Sequence, residues 1–220
     1  MTAGPASPGV TVADGPAAVR EAVAGLGPCV VVLVGAAGSG KSTLARQIVG
    51  SGEQALSIDA LCQLVSGDPY DREATAAAFS ALHLLAGARL NRRFTVVVDA
   101  VSILSADRQP LVDMARGHGL PAAAVVMATP LGVCLSRNAR RPAPVTGRRW
   151  GSRVPEETVR AQYREAQQAL PLLAAEGFDL IICARTSRDG DECSDSRGRG
   201  QLLAAGSGHG GGRGGGASCG

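Results

Sequence analysis

Five short apolar runs punctuate the chain, at residues 29–35 (CVVVLVG), 55–59 (ALSID), 94–100 (FTVVVDA), 122–129 (AAAVVMAT) and 179–184 (DLIICA). They are almost uniformly apolar, without the polar alternation of a half-exposed strand. Near-continuous Val, Ile, Leu and Ala is the pattern of strands covered on both faces, as in a parallel sheet. Between them the period becomes helical. Residues 41–49 (KSTLARQIV) predict one helix, and residues 71–91 a second with Phe79, Leu82, Ala86 and Leu90 on one stripe. Helices follow over 107–117 and 130–141, the latter with Thr129 as N-cap and Pro130 at the first helical position. A last helix over 155–170 carries Val159, Tyr163, Ala166 and Leu170 on one face.

Strands alternating with helices predict a doubly wound α/β domain over residues 28–184. Residues 1–27 hold one weak helical segment, AAVREAVAGL, with Gly and Pro on both sides, and predict a flexible lead. Residues 185–220 are rich in Gly, Ser and Arg with few apolar side chains, and predict a disordered tail.

At 220 residues the chain has room for one such domain plus tails. No apolar run approaches the roughly 18–20 residues that span a bilayer, and the N-terminus lacks a basic segment followed by an apolar one, so the expectation is a cytoplasmic protein without a membrane partner. None of the six cysteines falls in a CxxC pair or near a His at metal spacing. The net charge of +3 is too small to imply a polyanionic partner, but its distribution is uneven. Between Asp113 and Glu156 no acidic residue occurs, while Arg116, Arg137, Arg140, Arg141, Arg148, Arg149 and Arg153 do. This stretch suits negative charge.

The only lysine, Lys41, ends the segment GAAGSGK, with Ser42 and Thr43 following. Gly35, Gly40, Lys41 and Ser42 fit G-x-x-x-x-G-K-[ST], placed between a strand and a helix as a phosphate-binding loop requires. In such a loop, glycines such as Gly35, Gly38 and Gly40 let successive N–H groups, through Ser39 to Thr43, point at phosphate oxygens. A compact ammonium can reach between two phosphates where a planar guanidinium cannot, which accounts for a lysine in a chain otherwise biased to arginine. Ser42 would then offer its hydroxyl to Mg²⁺, with Asp99 at the end of FTVVVDA completing the metal site or merely stopping a strand.

Asp59, at the end of ALSID, falls at the sheet edge where ligands bind in such folds, as a base that accepts a hydroxyl proton or as a helix N-cap. Arg137 and Arg141 lie four residues apart on one helix face ahead of a Pro- and Gly-containing stretch, which reads as an Arg-rich lid closing over a transferring phosphoryl group or as a solvated basic face. Trp150, between Arg149 and Gly151, suits stacking on a base or packing at the lid root.

Together, GAAGSGKST, SIDALCQLVSGD, VVVDAVS, CLSRNARRP and VPEETVRAQY resemble the kinase domain of bacterial polynucleotide 5′-kinases and the zeta-toxin-like and AAA-type predicted ATPases around it. The resemblance implies a P-loop NTPase fold of the nucleoside-kinase-like kind, ATP as donor, Mg²⁺, Asp59 as base towards a 5′-hydroxyl, and Arg137 and Arg141 as clamps. The chain departs from that family twice. Cys62 stands where an acceptor-gripping Arg is found, and Val101–Ser102 where Thr-Asn is usual. A thiol makes no bidentate contact to phosphate, a loss of about 1.5–3 kcal/mol. The leading expectation is therefore a kinase of polynucleotide 5′-OH ends. A small-molecule kinase and an ATP-hydrolysing switch without a phosphorylated acceptor are the alternatives.

Overall fold

The computed structural model describes residues 9–49, 55–143 and 153–185, all within the unit Met1–Ser187. The expected tail, Trp150 and most of the expected lid loop lie outside the described residues.

Among the described residues, six parallel strands form one sheet in the order β1-β6-β5-β2-β4-β3. They are β1 (Val10–Asp14), β2 (Val30–Val34), β3 (Leu56–Ser57), β4 (Val96–Asp99), β5 (Ala122–Met127) and β6 (Leu180–Arg185). The helices are α1 (Gly15–Ala24), α2 (Lys41–Ile48), α3 (Ile58–Ser66), α4 (Thr75–Leu90), α5 (Ser105–Gly117), α6 (Leu131–Ala139) and α7 (Glu156–Ala169), with a 3₁₀ turn at Leu170–Leu172. Alternate residues of β2 divide the core: Val30, Val32 and Val34 pack with Leu82, Leu111 and Val112, whereas Val31 and Leu33 pack with Val19, Leu44 and Ile48. Burial on both faces is what the unbroken apolar runs required.

Four expectations are corrected. The lead is not a bare linker, because β1 pairs with β6 from Val10 opposite Ile181 to Asp14 opposite Arg185, and α1 buries Val19 and Val23 against the sheet. These two valines are one helical turn apart, enough to dock a short helix once a sheet is present. Second, β3 stops at Ser57, and Asp59 lies in the first turn of α3, where Ser57 is the N-cap. Third, the buried stripe of α4 is Ala78, Leu82, Ala86 and Leu90 at strict four-residue spacing, and Phe79 is half-buried at its side. Fourth, Thr129 does not cap α6. Pro130 holds the N-cap position, and the Thr129 hydroxyl is committed elsewhere.

Among the described residues no helix is long and apolar enough to cross a membrane.

Candidate active site

Strand β2 lies between β4 and β5, and the chain reverses its direction of travel across the sheet there. The crevice beyond the carboxyl ends of such strands is where ligands bind in this architecture. Residues 35–40 emerge from β2 at that place and lead into α2.

Gly38 and Gly40 take left-handed backbone, with φ of 80° and 97°, which side-chain-bearing residues avoid. A Cβ at Gly38 would also run into the carbonyl oxygen of Cys134 on α6, so the loop is packed too closely there for alanine. Four side chains from distant sequence hold it. Thr129 Oγ1 donates to Ser39 O at 2.8 Å, Gln162 Oε1 of α7 accepts from Ala37 N at 2.9 Å, and Ala36 and Ala37 pack on Cys134 and Val159.

Lys41 is buried, and its Nζ donates to Gly35 O and Ala36 O, both at 2.8 Å. Burial lowers its pKa to about 8; Asp99 opposes that shift, Arg141 adds to it, and Cys134 and Asp59 oppose it more weakly. Ser39 Oγ is buried without a hydrogen-bond partner. Ser42 and Thr43 are exposed at the start of α2, where N–H groups and the helix dipole favour an anion.

Register brings the acids together: Ser57 of β3 pairs with Asp99 of β4, and Asp59 follows two residues after Ser57. The Asp59 residue is exposed overall, yet crowding of its carboxyl by protein raises its pKa, and the nearby Asp99 raises it further; Arg141 and Lys41 pull it down. Arg141 sits just past the end of α6 and is half-buried. Thus Lys41, Asp59, Asp99 and Arg141 share one electrostatic neighbourhood. Arg137, also half-buried, acts on the Cys134 thiol.

Magnesium fits this donor set. A hard cation that keeps phosphate and water oxygens needs only one or two protein oxygens. Ser42 and the Asp99 carboxylate supply that chemistry, and among the described residues no group of three or more His, Cys, Asp and Glu gathers to favour a different metal.

The position that the resemblance assigns to an acceptor-gripping Arg is buried. Cys62 lies in the core with Leu61, Ala74 and Ala78, and burial pushes its thiol up.

Two groups at the site escaped the sequence reading. Gln162 lies three residues after Val159 and four before Ala166, so it is a polar residue on an apolar stripe. Asn138 is buried four residues after Cys134, and it bonds Val154 in both directions, Nδ2 to Val154 O at 2.7 Å and Val154 N to Oδ1 at 3.0 Å. This pins together the two ends of the stretch between α6 and α7. An amide at a position of a helix's apolar stripe was the available signal in both cases, buried at Asn138 and half-buried at Gln162.

A family model described as an AAA domain matches residues 30–169. No curated protein matches the chain. Among solved structures, the Pnkp1/Rnl/Hen1 RNA repair complex matches at 20% identity over 64% of this chain, with a TM-score of 0.52. This chain covers 44% of the length of that one. A gluconokinase from Sinorhizobium meliloti 1021 matches at 22% identity over 72% of this chain and 83% of its own, TM-score 0.46. A shikimate kinase from Acinetobacter baumannii matches at 18% identity over 78% and 89%, TM-score 0.45. The likeness is one of fold, the P-loop kinase-like α/β arrangement.

Proposed function

The chain belongs to the AAA-domain family over residues 30–169, and from that membership and the site's geometry we propose that it is an ATP-dependent phosphotransferase. It moves the γ-phosphoryl group of ATP to a hydroxyl acceptor. The observation that carries this reading is the convergence of Lys41, Asp59, Asp99 and Arg141, drawn from four separate segments, at the carboxyl edge of the sheet.

The loop amides from Gly38 to Thr43 bind the triphosphate, and Lys41 turns its ammonium from the loop carbonyls to the phosphates. A bound triphosphate favours the charged amine, which burial alone disfavours. Mg²⁺, when bound, would be held by Ser42 and Asp99 and would neutralise charge on the phosphate oxygens. Arg141, with Arg137 behind it on α6, clamps the negative charge of the transferring group. Asp59 accepts the proton from the acceptor hydroxyl, and its raised pKa makes it a better base than an ordinary carboxylate.

For the acceptor, the polynucleotide 5′-hydroxyl is supported by the motif resemblance and the acid-free, Arg-rich interval from 114 to 155. A specific observation favours a second reading, a small hydroxyl compound: Cys62 is buried in the core and offers no grip for an acceptor phosphate.

The test is transfer of labelled γ-phosphate from ATP, with a 5′-OH oligonucleotide and a panel of nucleosides, sugars and aminoglycosides offered separately. Transfer that survives both Lys41→Met and Asp59→Asn would remove the assignment, as would an absence of magnesium-dependent ATP binding.

A further inference from the structure

The most deeply buried charged side chain of the core, Arg108 in the first turn of α5, takes no part in the chemistry above. Its Nε and Nη2 donate to the two carboxylate oxygens of Glu176, at 2.7 and 2.5 Å, in a fork-to-fork pair. Its Nη1 donates to Ser102 O at 2.9 Å and Ile103 O at 2.7 Å. Glu176 follows the 3₁₀ turn after α7 and is itself nearly buried.

The carbonyls that Arg108 holds belong to the turn that starts directly after Asp99. In that turn Ser102 has a φ of 44°, left-handed backbone that a residue with a Cβ adopts only when its surroundings impose it. One residue earlier, Val101 O accepts from Gly35 N at 3.3 Å. A single stretch of backbone therefore carries Asp99 at its start, the first glycine of the phosphate loop on Val101, and Arg108 on Ser102 and Ile103. Stability alone gives no reason to bury an ion pair here, because well-packed apolar residues of similar volume serve as well or better. What apolar residues cannot do is hold two carbonyls in a disfavoured turn.

We infer that Arg108 and Glu176 are a positioning pair that fixes the turn after Asp99 against Gly35, so that the magnesium-dependent part of nucleotide binding depends on two residues that do not touch the nucleotide. The magnesium clause rests on the reading of Asp99 given above.

The experiment compares wild type with the apolar double variant Arg108→Met/Glu176→Leu and with Glu176→Gln. Three quantities are read: the melting temperature, amide hydrogen exchange at Gly35 and residues 101–104, and ATP affinity with magnesium and with chelator. The double variant is expected to melt within a few degrees of wild type while Gly35 exchanges about tenfold faster, and its affinity for ATP with magnesium falls about tenfold, as for the loss of other outer partners of a metal site. Its affinity without magnesium stays within about twofold. Should the double variant not fold, Glu176→Gln, which keeps the volume and one acceptor, carries the same readings at about threefold. Unchanged protection at Gly35 in a folded variant overturns the inference, and so does an equal fall of both affinities. A wild type whose ATP affinity ignores magnesium sinks the assignment of Asp99, and the exchange at Gly35 then decides the positioning role by itself.

Discussion

The backbone N–H of Ala37 and the side-chain oxygen of Gln162 meet at 2.9 Å, although 125 residues separate them in the chain. The bond joins the middle of the phosphate loop to the second turn of α7, the helix that follows the Arg-rich stretch. An oxygen at Gln162 therefore sets the orientation of an amide in the loop proposed to bind phosphate.

Removing that oxygen should loosen the loop. Gln162→Ala is expected to weaken ATP binding by about 1 kcal/mol, the usual net value of one hydrogen bond. Gln162→Glu keeps the acceptor but adds negative charge beside the phosphates, so it should bind ATP less well than the alanine variant while melting no lower. Calorimetric titration of the three proteins checks the order.

Lys41 couples stability to pH. Its pKa is near 8 in the fold against 10.5 when exposed, so between those values the unfolded chain binds more protons and folding stability rises with pH. The size is about 3 kcal/mol from the shift alone. Cys62, Cys134 and Cys183, with thiols pushed up by burial, act in the opposite sense as pH passes 9. The difference between wild type and Lys41→Met isolates the lysine: denaturant unfolding of the two should diverge between pH 8 and 10.5 in the direction that favours wild type. ATP should restore the charge, so binding near pH 8 takes up a fraction of a proton, readable from heats in buffers of different ionisation enthalpy.

Asp59→Asn should abolish transfer, by about 10²- to 10⁴-fold, and leave ATP binding nearly intact. A carboxyl whose pKa is raised by folding is destabilising once ionised, because the folded state holds the proton more tightly than the unfolded one. The stability it contributes is present below the ordinary carboxylate range and lost as pH rises through the raised value. At neutral pH the asparagine variant should consequently melt higher than wild type. In the active enzyme, the acid limb of the pH–rate profile should lie above the usual aspartate value of about 3.9.

Cys62→Arg introduces the residue type that the resembled polynucleotide 5′-kinases carry at this position, yet the site is core. The substitution should destabilise by about 3 kcal/mol, because a guanidinium overfills a core position packed by Leu61, Ala74 and Ala78, and it should create no grip on an acceptor phosphate. Cys62→Ser should cost about 1 kcal/mol, since the hydroxyl enters the core but keeps the Thr75 side chain as a partner. Thermal melting and transfer assays of both variants separate a packing role from an acceptor role. An arginine variant that folds normally and gains 5′-kinase activity would contradict the burial.

Local pattern was enough to reveal five of the six strands, the main helices and the phosphate loop, since burial on both sheet faces and the turn ahead of α2 are written in neighbouring residues. Asp59, Asp99 and Lys41 were legible for the same reason: each stands at the end or start of an apolar element. Tertiary structure alone decided the rest. The strand β1 is exposed along most of its length and becomes a strand only by pairing with β6, some 170 positions later. Thr129 looked like a helix cap and holds the loop after β2; Cys62, at the position where the resembled family grips an acceptor, packs in the core. Gln162, Asn138 and the Arg108–Glu176 pair hold backbone in other segments, and no local period records such a partner. Periodicity encodes which face of an element is covered, whereas what covers it depends on the packing of the whole chain.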